Sequence, residues 1–323
     1  MIYAIGSILF GLLLLIWSAD RFVLGASSVA KSLNVAPLLI GMVIVGFGTS
    51  TPELFVSSMA SMNGDFDIAI GNAVGSNIAN IALILGITAL ITPIAVNSNI
   101  VHRELPILLG ISITFGLLIW DLNLSRLDAG VLLFGFLALV TWTIRTSRNQ
   151  ASDPLAAEFK QEISSQTISF KMAIVWTVAG LITLIVSSRL LVWGATNVAQ
   201  ELGVSKLIIG LTVVAIGTSL PELVTSVMAA LKKEHDVAIG NVIGSNMFNL
   251  LAVAGVAGTI RPMDQLSGSV FWRDWSSMLF VTIVIFIMAM PFKGRTGRIS
   301  RWEGLFLILI YAAYTYTLIT YQI

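Results

Sequence analysis

The sequence contains one motif twice: residues 48–54 read GTSTPEL and residues 217–223 read GTSLPEL. A second motif repeats at the same offset of 169 residues, as GNAVGSN at 71–77 and GNVIGSN at 240–246. Without a gap, 18 of the 35 positions from 46 to 80 are identical to those from 215 to 249. Biased composition cannot produce an ungapped match of that length. The chain is therefore built from two copies of one unit.

Composition places both copies in a membrane. Of the 323 residues, 56% are hydrophobic and 11% are charged, and the mean hydropathy is +0.92. A soluble protein carries about 25% charged residues, which solvate its surface. Eighteen basic and 17 acidic residues cannot cover a soluble fold of 34.7 kDa. We therefore predict an integral membrane protein in contact with lipid.

The same composition excludes several classes of function. A net charge of +1 provides no basic stripe for nucleic acid. The absence of cysteine excludes disulfides, thiolate zinc sites and cysteine nucleophiles, and two histidines are too few for a histidine metal cage. The sequence has no Walker A motif, so we do not expect ATP-driven transport by this chain alone. Since no catalytic constellation is present, we expect no enzyme and no bound cofactor.

Ten apolar runs are long enough to cross a membrane, for which a helix needs about 20 mostly apolar residues. They lie near residues 2–23, 35–62, 67–93, 104–121, 127–145, 170–193, 204–231, 236–260, 270–291 and 303–321. The second, third, seventh and eighth runs are interrupted by Gly, Pro, Ser and Asn. We predict an all-α fold of ten transmembrane helices, with helices 2, 3, 7 and 8 broken.

Five helices in each copy dictate how the copies are related. Because five is odd, the second copy enters the membrane from the opposite side, so the repeats are inverted. We predict a first five-helix repeat at 1–145, a cytoplasmic linker at 146–169 and a second five-helix repeat at 170–323. Broken helices at matching positions of such halves are typical of a transporter's midplane site.

The basic residues orient the chain. With the N-terminus outside, thirteen Lys and Arg residues fall on the cytoplasmic side and five on the outer side. This bias predicts a multi-pass protein of the cell (inner, cytoplasmic) membrane with both termini extracytoplasmic. The first basic residue is Arg21, so the first apolar run lacks the charged start of a secretory signal, and we expect it to be retained.

Two acidic residues lie deep inside the broken runs, Glu53 and Glu222. An acidic side chain at the bilayer centre costs at least ~2.5–3.5 kcal/mol, and such residues usually mark ion or proton pathways. No Lys or Arg falls within these runs, so a bound cation is the natural counter-charge. A protonated Glu that is hydrogen-bonded to a neighbouring helix is the structural alternative.

A proline precedes each of these glutamates. Pro52 has no N–H, which removes the hydrogen bond to the Gly48 carbonyl, and Pro221 does the same for Gly217. Freed carbonyls cannot face lipid, but they can line a cavity and bind a cation. A simple proline kink is the alternative.

The second motif forms a polar stripe at i, i+4 and i+8, with Asn72, Ser76 and Asn80 in one copy and Asn241, Ser245 and Asn249 in the other. Ser76, Asn80, Ser245 and Asn249 are the better ligand candidates because they lie further into the membrane. For Asn72, Asn77, Asn241 and Asn246, hydrogen bonding between helices and ligation both remain open. The glycine pairs 71/75 and 240/244 also fit a helix-packing seam.

The pooled donors are two carboxylates with hydroxyl, amide and backbone oxygens. Such ligands suit hard cations, namely Ca²⁺, Na⁺ and Mg²⁺, rather than Zn²⁺ or Cu²⁺. Two negative charges balance one Ca²⁺. Mg²⁺ is less favoured because it gives up its water reluctantly.

The paired GTSxPE and GNxxGSNxxN segments closely resemble the α-repeats of the cation/Ca²⁺ antiporter superfamily, specifically its Na⁺/Ca²⁺ exchanger branch. The resemblance covers essentially the whole chain. It implies electrogenic exchange of Na⁺ for Ca²⁺ by alternating access, in a protein that we expect to function as a monomer. Position by position, it implies Ca²⁺ ligation by Glu53, Glu222 and the carbonyls of Thr49 and Thr218. It also implies flanking Na⁺ sites at Ser50, Ser76, Ser219 and Ser245, with backbone oxygens near Gly46 and Ala215, and a centre completed by Asn80 and Asn249.

The chain departs from part of this family, which has Asp at one of the two positions held here by Asn80 and Asn249. The site then carries one negative charge less, which disfavours the potassium-dependent subtype. A proton-coupled cation exchanger is the nearest alternative, since both glutamates could bind protons. A passive cation channel is a further one, which only the dependence of flux on a counter-ion distinguishes.

Overall fold

The computed structural model describes residues 2–33, 37–97, 100–150, 168–202, 215–291 and 297–320. Within these ranges the chain is almost wholly helical. The first half contains the helices α1 (Ile2–Leu33), α2 (37–49), α3 (Thr51–Asn63), α4 (Phe66–Ile91), α5 (Ile100–Leu118) and α6 (Arg126–Gln150). The second half contains α7 (Phe170–Glu201), α8 (Ala215–Thr218), α9 (Leu220–Leu231), α10 (His235–Ile260), α11 (Val270–Ala289) and α12 (Arg301–Thr320). Two short strands, β1 (Ile94–Ala95) and β2 (Arg298–Ile299), form an antiparallel pair.

Seven helices in the described part of the chain are long and apolar enough to span a membrane. They are Ile2–Leu33, Phe66–Ile91, Ile100–Leu118, Arg126–Thr143, Phe170–Val198, His235–Ile260 and Val270–Ala289. The second predicted run is divided at Ser50 into α2 and α3, each too short to span alone. The start of the seventh predicted run and most of the predicted linker, residues 203–214 and 151–167, lie outside the described residues.

The prediction that helices 3 and 8 are broken is wrong. Both α4 and α10 run without interruption and instead widen into a π-helical segment, at Ala79–Leu85 in α4 and at Asn249–Val253 in α10. Neither helix contains a proline, so every backbone N–H is available to the helix. The motifs that suggested a break, at 71–77 and 240–246, lie in regular α-helix, and the π segments begin after them, next to Asn80 and at Asn249.

Helices α4 and α10 form the centre of the molecule. α10 is buried along the whole of its apolar window, and most of α4 is buried too. By contrast, α1, α6 and α7 expose most of theirs, with large apolar side chains such as Leu13, Phe134 and Ile182 facing outward. Exposed apolar faces of this extent fit a membrane protein whose outer helices contact lipid.

Helices α1 and α7 pack against each other along most of their length. Glycines on both helices allow the close approach, because a Cβ at Gly180 would lie 2.8 Å from the backbone nitrogen of Phe22. In the same way, a Cβ at Gly11 would lie 3.1 Å from the backbone nitrogen of Leu191. The contacts run in opposite chain directions, so the two helices form an antiparallel pair.

The connections between helices join the two halves at two places. β1, which follows α4, pairs with β2, which precedes α12, with Ile94 opposite Ile299. At a second place Leu124, before α6, exchanges two backbone hydrogen bonds with Met263, after α10, at 2.8 and 3.0 Å. In each pairing, the segment after the third predicted span of one copy binds the segment before the fifth span of the other.

Candidate cation-binding site

The site begins at two matching interruptions. Helix α2 ends at Thr49 and α3 begins at Thr51, so Ser50 stands between them with φ −82° and ψ 10°. Ser219 stands between α8 and α9 with nearly the same backbone angles, φ −92° and ψ 6°. Pro52 and Pro221 follow two residues after these serines. Because proline has no N–H, the regular helical hydrogen bond to the Gly48 or Gly217 carbonyl cannot form, as the sequence predicted.

The carbonyls freed by the prolines each accept a hydrogen bond from a hydroxyl. The Gly48 carbonyl accepts a hydrogen bond from the Thr51 hydroxyl at 2.8 Å. The Gly217 carbonyl accepts one from the Ser188 hydroxyl of α7, also at 2.8 Å. Hydroxyls therefore replace the missing backbone donors at these two carbonyls.

Glu53 and Glu222 are buried, each with 1% of its surface exposed, and each binds the interruption of the other half. The Ser50 hydroxyl donates to Glu222 Oε1 at 2.9 Å, and the Ser219 hydroxyl is 3.4 Å from Glu53 Oε1. The two carboxylates interact electrostatically with each other. In each, Oε2 is buried without a hydrogen-bond partner among the described residues.

Amide side chains hold the backbone of both glutamates. Asn72 Nδ2 donates to the Glu53 carbonyl at 3.0 Å and to the Ser57 hydroxyl at 2.9 Å. The second half repeats the arrangement: Asn241 Nδ2 donates to the Glu222 carbonyl at 3.1 Å and to the Ser226 hydroxyl at 2.8 Å. Of the two roles left open for these asparagines, the structure shows hydrogen bonding between helices.

Sequence reasoning missed Ser57 and Ser226, the serines that support these asparagines. A signal for them was present, since serine is identical between the two copies at this position. They lie one turn after each glutamate, where a serine in an apolar run reads as an ordinary small residue. The contact with the asparagine on the next helix gives them a role.

Three predicted Na⁺ ligands meet around one carbonyl. Gly46 O accepts from the Ser245 hydroxyl at 3.0 Å and lies 3.2 Å from the backbone nitrogen of Ser50. The Thr49 hydroxyl is bound nearby, to Val45 O at 2.9 Å and Asn241 Oδ1 at 3.1 Å. α2 therefore packs tightly on α10 in this region, with Ser245 fully buried.

The remaining predicted ligands occupy the helices around the glutamates. Ser76 is buried in α4, one turn before Asn80, and Thr218 ends α8. Ala215, the counterpart of Gly46, begins α8, and its side chain lies outside the described residues.

The asparagines in the π segments of α4 and α10 are the most weakly satisfied groups of the site. Asn80 and Asn249 have at most 1% of their surface exposed. Asn80 Nδ2 donates to Asn246 Oδ1 at 2.9 Å, while Asn80 Oδ1 has no partner in the described part of the chain. Neither Oδ1 nor Nδ2 of Asn249 has a partner there. Buried polar atoms of this kind are costly unless something binds them.

The donor set suits a hard cation. It offers buried carboxylate, amide and hydroxyl oxygens, and none of the ion pairs among the described residues involves Glu53 or Glu222. No three His, Cys, Asp or Glu side chains cluster in the described ranges. A cation here would therefore be held by two carboxylates with neutral oxygens, as Ca²⁺ and Na⁺ sites allow.

A family profile described as "Sodium/calcium exchanger protein" matches residues 3–145 and 172–320. The chain belongs to this family. Among its relatives, CaxA of Alkalimonas amylolytica is 45% identical over 96% of this chain and 97% of its own length. The sodium/calcium exchanger MaX1 of Methanosarcina acetivorans is 31% identical over 95% of this chain and 96% of its own.

A solved structure has the same fold. The sodium-calcium exchanger NCX_Mj, soaked with 2.5 mM Na⁺ and 0.1 mM Ca²⁺, superimposes with a TM-score of 0.82 at 30% sequence identity. The match covers 97% of each chain. The chain is thus a membrane protein with the fold of an exchanger.

Proposed function

We propose that this protein exchanges Na⁺ for Ca²⁺ across the membrane by alternating access at the site of Glu53 and Glu222. One observation carries the proposal. Two buried carboxylates, one from each half, are each bound by the serine of the opposite interruption, and each has an oxygen without a partner among the described residues. No cationic side chain balances them among the described residues.

Charge balance explains why a cation must bind. A buried carboxylate without a partner is strongly disfavoured, and two facing each other also repel. One Ca²⁺ or several Na⁺ would neutralise the pair. Because the two ions need the same carboxylates, they would compete, and competition for one site is the basis of exchange.

The ligand assignment follows the donors. Ca²⁺ would bind between Glu53 and Glu222 with the carbonyls of Thr49 and Thr218, and Asn80 and Asn249 would complete the centre. Na⁺ would use the flanking serines, Ser50, Ser76, Ser219 and Ser245, and the backbone near Gly46 and Ala215. The contact of Ser245 with the Gly46 carbonyl supports this pairing of donors.

The proposed architecture has ten membrane spans in two inverted repeats, at 1–145 and 170–323, joined by a cytoplasmic linker at 146–169. The paired contacts of the two interruptions and the reciprocal connections between halves support it. The excess of basic residues on one side supports a cell (inner) membrane location with both termini outside. The protein would act as a monomer and as a transporter rather than an enzyme.

The pair of α1 and α7 would change access to the site by sliding across the helices that hold it. The packing of these two helices along their length supports movement as one unit. An occupied site carries little net charge and can pass through the low-dielectric interior. An empty site carries two negative charges and resists the change, so transport of one ion requires return of the other.

The experiment is ⁴⁵Ca²⁺ uptake by proteoliposomes that contain Na⁺, K⁺ or an acidic buffer at equal osmolarity. We expect uptake only from vesicles loaded with Na⁺. Uptake driven by the pH gradient alone would instead identify a proton-coupled exchanger. Uptake indifferent to the internal ion would identify a channel, and either result would contradict the proposal.

A further inference from the structure

A chain of side-chain amides crosses between the two central helices beside the proposed site. Asn77 Nδ2 lies 3.1 Å from the carbonyl oxygen of Asn246, and Asn246 Nδ2 lies 3.4 Å from the carbonyl oxygen of Asn77. On its other side, Asn246 Oδ1 lies 2.9 Å from Asn80 Nδ2. All three asparagines are buried, so water does not compete for these contacts.

Chemistry fixes which amide donates and which accepts in this series of hydrogen bonds. A backbone carbonyl only accepts hydrogen bonds, so the Asn246 atom that faces the Asn77 carbonyl must be the amide nitrogen. The other atom of that amide is then an oxygen, and it faces Asn80. The Asn80 atom that faces this oxygen must be its amide nitrogen, because two oxygens at that distance would repel. The oxygen of Asn80 is thereby turned away from Asn246.

The oxygen turned away is the atom that lacks a partner. Asn80 Oδ1 is buried without a hydrogen bond in the described part of the chain. The π segment that contains Asn80 contacts α9, the helix of Glu222. A free amide in such a place could equally turn its nitrogen toward a carboxylate and donate a hydrogen bond that competes with a cation.

We propose that Asn246 is a positioning residue, which holds the Asn80 amide with its oxygen available to the transported cation. The inference rests on the proposed function, because it assigns a role within the same cation site. Asn246 itself does not touch the ion in this account. Asn246 prevents the flipped orientation of Asn80, in which an amide N–H instead of the oxygen would face the site.

The two halves differ in whether the equivalent amide, that of Asn80 or Asn249, has a hydrogen-bond partner. Asn77 is the counterpart of Asn246, and Asn249 is the counterpart of Asn80. Asn77 Oδ1 and both amide atoms of Asn249 have no partner among the described residues. Of the equivalent pair Asn80 and Asn249, only Asn80 has its amide held by a partner among the described residues, which makes Asn77 a matched control: it shares the reciprocal bonds to the backbone but holds no ligand.

The test is Ca²⁺ binding to the purified protein by titration calorimetry in Na⁺-free buffer. We expect Asn246→Ala to raise the Ca²⁺ Kd about tenfold, and Asn77→Ala to raise it clearly less. Asn246→Leu, which keeps the side-chain volume without polar atoms, gives the same comparison if the alanine variant does not fold.

A double-mutant cycle separates positioning from a general structural role. In Asn80→Ala no amide remains to be oriented, and in Asn80→Asp either carboxylate oxygen serves as ligand. In both backgrounds we expect Asn246→Ala to change the Kd by less than about twofold. A loss of equal size in all backgrounds, or an equal loss in Asn77→Ala, would overturn the inference.

The outcomes also separate this inference from the proposed function. If the unsubstituted protein binds no Ca²⁺, the proposed function fails, and the role of Asn246 fails with it. If the unsubstituted protein binds Ca²⁺ and Asn246→Ala binds it equally well, only the role of Asn246 is overturned.

Discussion

At the scale of single residues, Asn241 and Asn72 hold the turns that contain the glutamates. Asn241 makes three hydrogen bonds, to Glu222 O, to the Ser226 hydroxyl and from the Thr49 hydroxyl, and it is fully buried. Asn72 makes two and is half-buried. Asparagine at these two equivalent positions therefore differs in its burial and in the number of hydrogen bonds that it makes.

We expect Asn241→Ala to lower the free energy of unfolding by about 3 kcal/mol, because each buried group left without a partner costs about 1–3 kcal/mol. Asn72→Ala is the matched control and should be less destabilising. Thermal unfolding of the purified variants measures both. An equal loss in the two variants would show that burial at these positions does not decide stability.

The sequence predicts the residues of the site better than it predicts their partners. Glu53 and Glu222 stand out because an acidic residue in an apolar run needs a reason. The partner of the Gly217 carbonyl, Ser188, lies 29 residues away on another helix, and no local pattern connects the two. Contacts of this kind depend on how helices pack, and a single sequence does not contain that information.

At the scale of helices, the glycines of α10 form a packing seam against α2. A Cβ at Gly244 would collide with the carbonyl oxygen of Met42, and a Cβ at Gly46 would lie 2.8 Å from the backbone nitrogen of Ser245. Backbone cannot move aside as a flexible side chain can. The role as a packing seam, one of two that the sequence left open, is therefore real for Gly244.

We expect Gly244→Ala to separate α2 from α10, and with it the Gly46 carbonyl from Ser245, and to abolish transport. Gly110→Ala is the control, since no described atom lies within 4 Å of a Cβ there and α5 is exposed at that position. The alanine at 110 should leave transport unchanged and add about 0.5–1 kcal/mol to helix stability. Transport by Gly244→Ala at the normal rate would contradict this account of the seam.

Proline explains why the chain is interrupted at Ser50 and Ser219 and not within α4 and α10. Ser50 separates α2 from α3, and Ser219 separates α8 from α9, because Pro52 and Pro221 each lack the backbone N–H that a continuous helix needs. α4 and α10 contain Gly, Ser and Asn but no proline, and both continue through a π segment without ending. Polar and small residues alone were not enough to predict a break.

At the scale of the whole molecule, inverted repeats place equivalent positions on opposite sides of the membrane. Ala95 and Asp264 are 169 residues apart, and both are exposed next to the segments that join the two halves. The proposed orientation puts Ala95 on the cytoplasmic side and Asp264 outside. The repeat and its offset were visible in the sequence, but the reciprocal pairing of the connections was not, because such short strands have no pattern of their own.

The chain contains no cysteine, so single-cysteine variants give labelling without background. We expect a membrane-impermeant maleimide to label Asp264→Cys in intact cells and Ala95→Cys only after the cells are opened. Labelling of both variants from the same side would contradict the inverted arrangement. If Ala95→Cys were labelled in intact cells and Asp264→Cys only after opening, the inverted arrangement would stand but the proposed orientation in the membrane would be wrong.

In the proposed exchange, Glu53 and Glu222 together bind the transported ions. The most direct measurement is Na⁺-dependent ⁴⁵Ca²⁺ uptake by Glu53→Gln and Glu222→Gln, each of which removes one charge and keeps the size of the side chain. Glu303→Gln, a glutamate that caps α12 by binding Ser300, is the control. We expect both site variants to lose uptake while the control retains it. Uptake at the normal rate in either Glu53→Gln or Glu222→Gln would contradict this assignment.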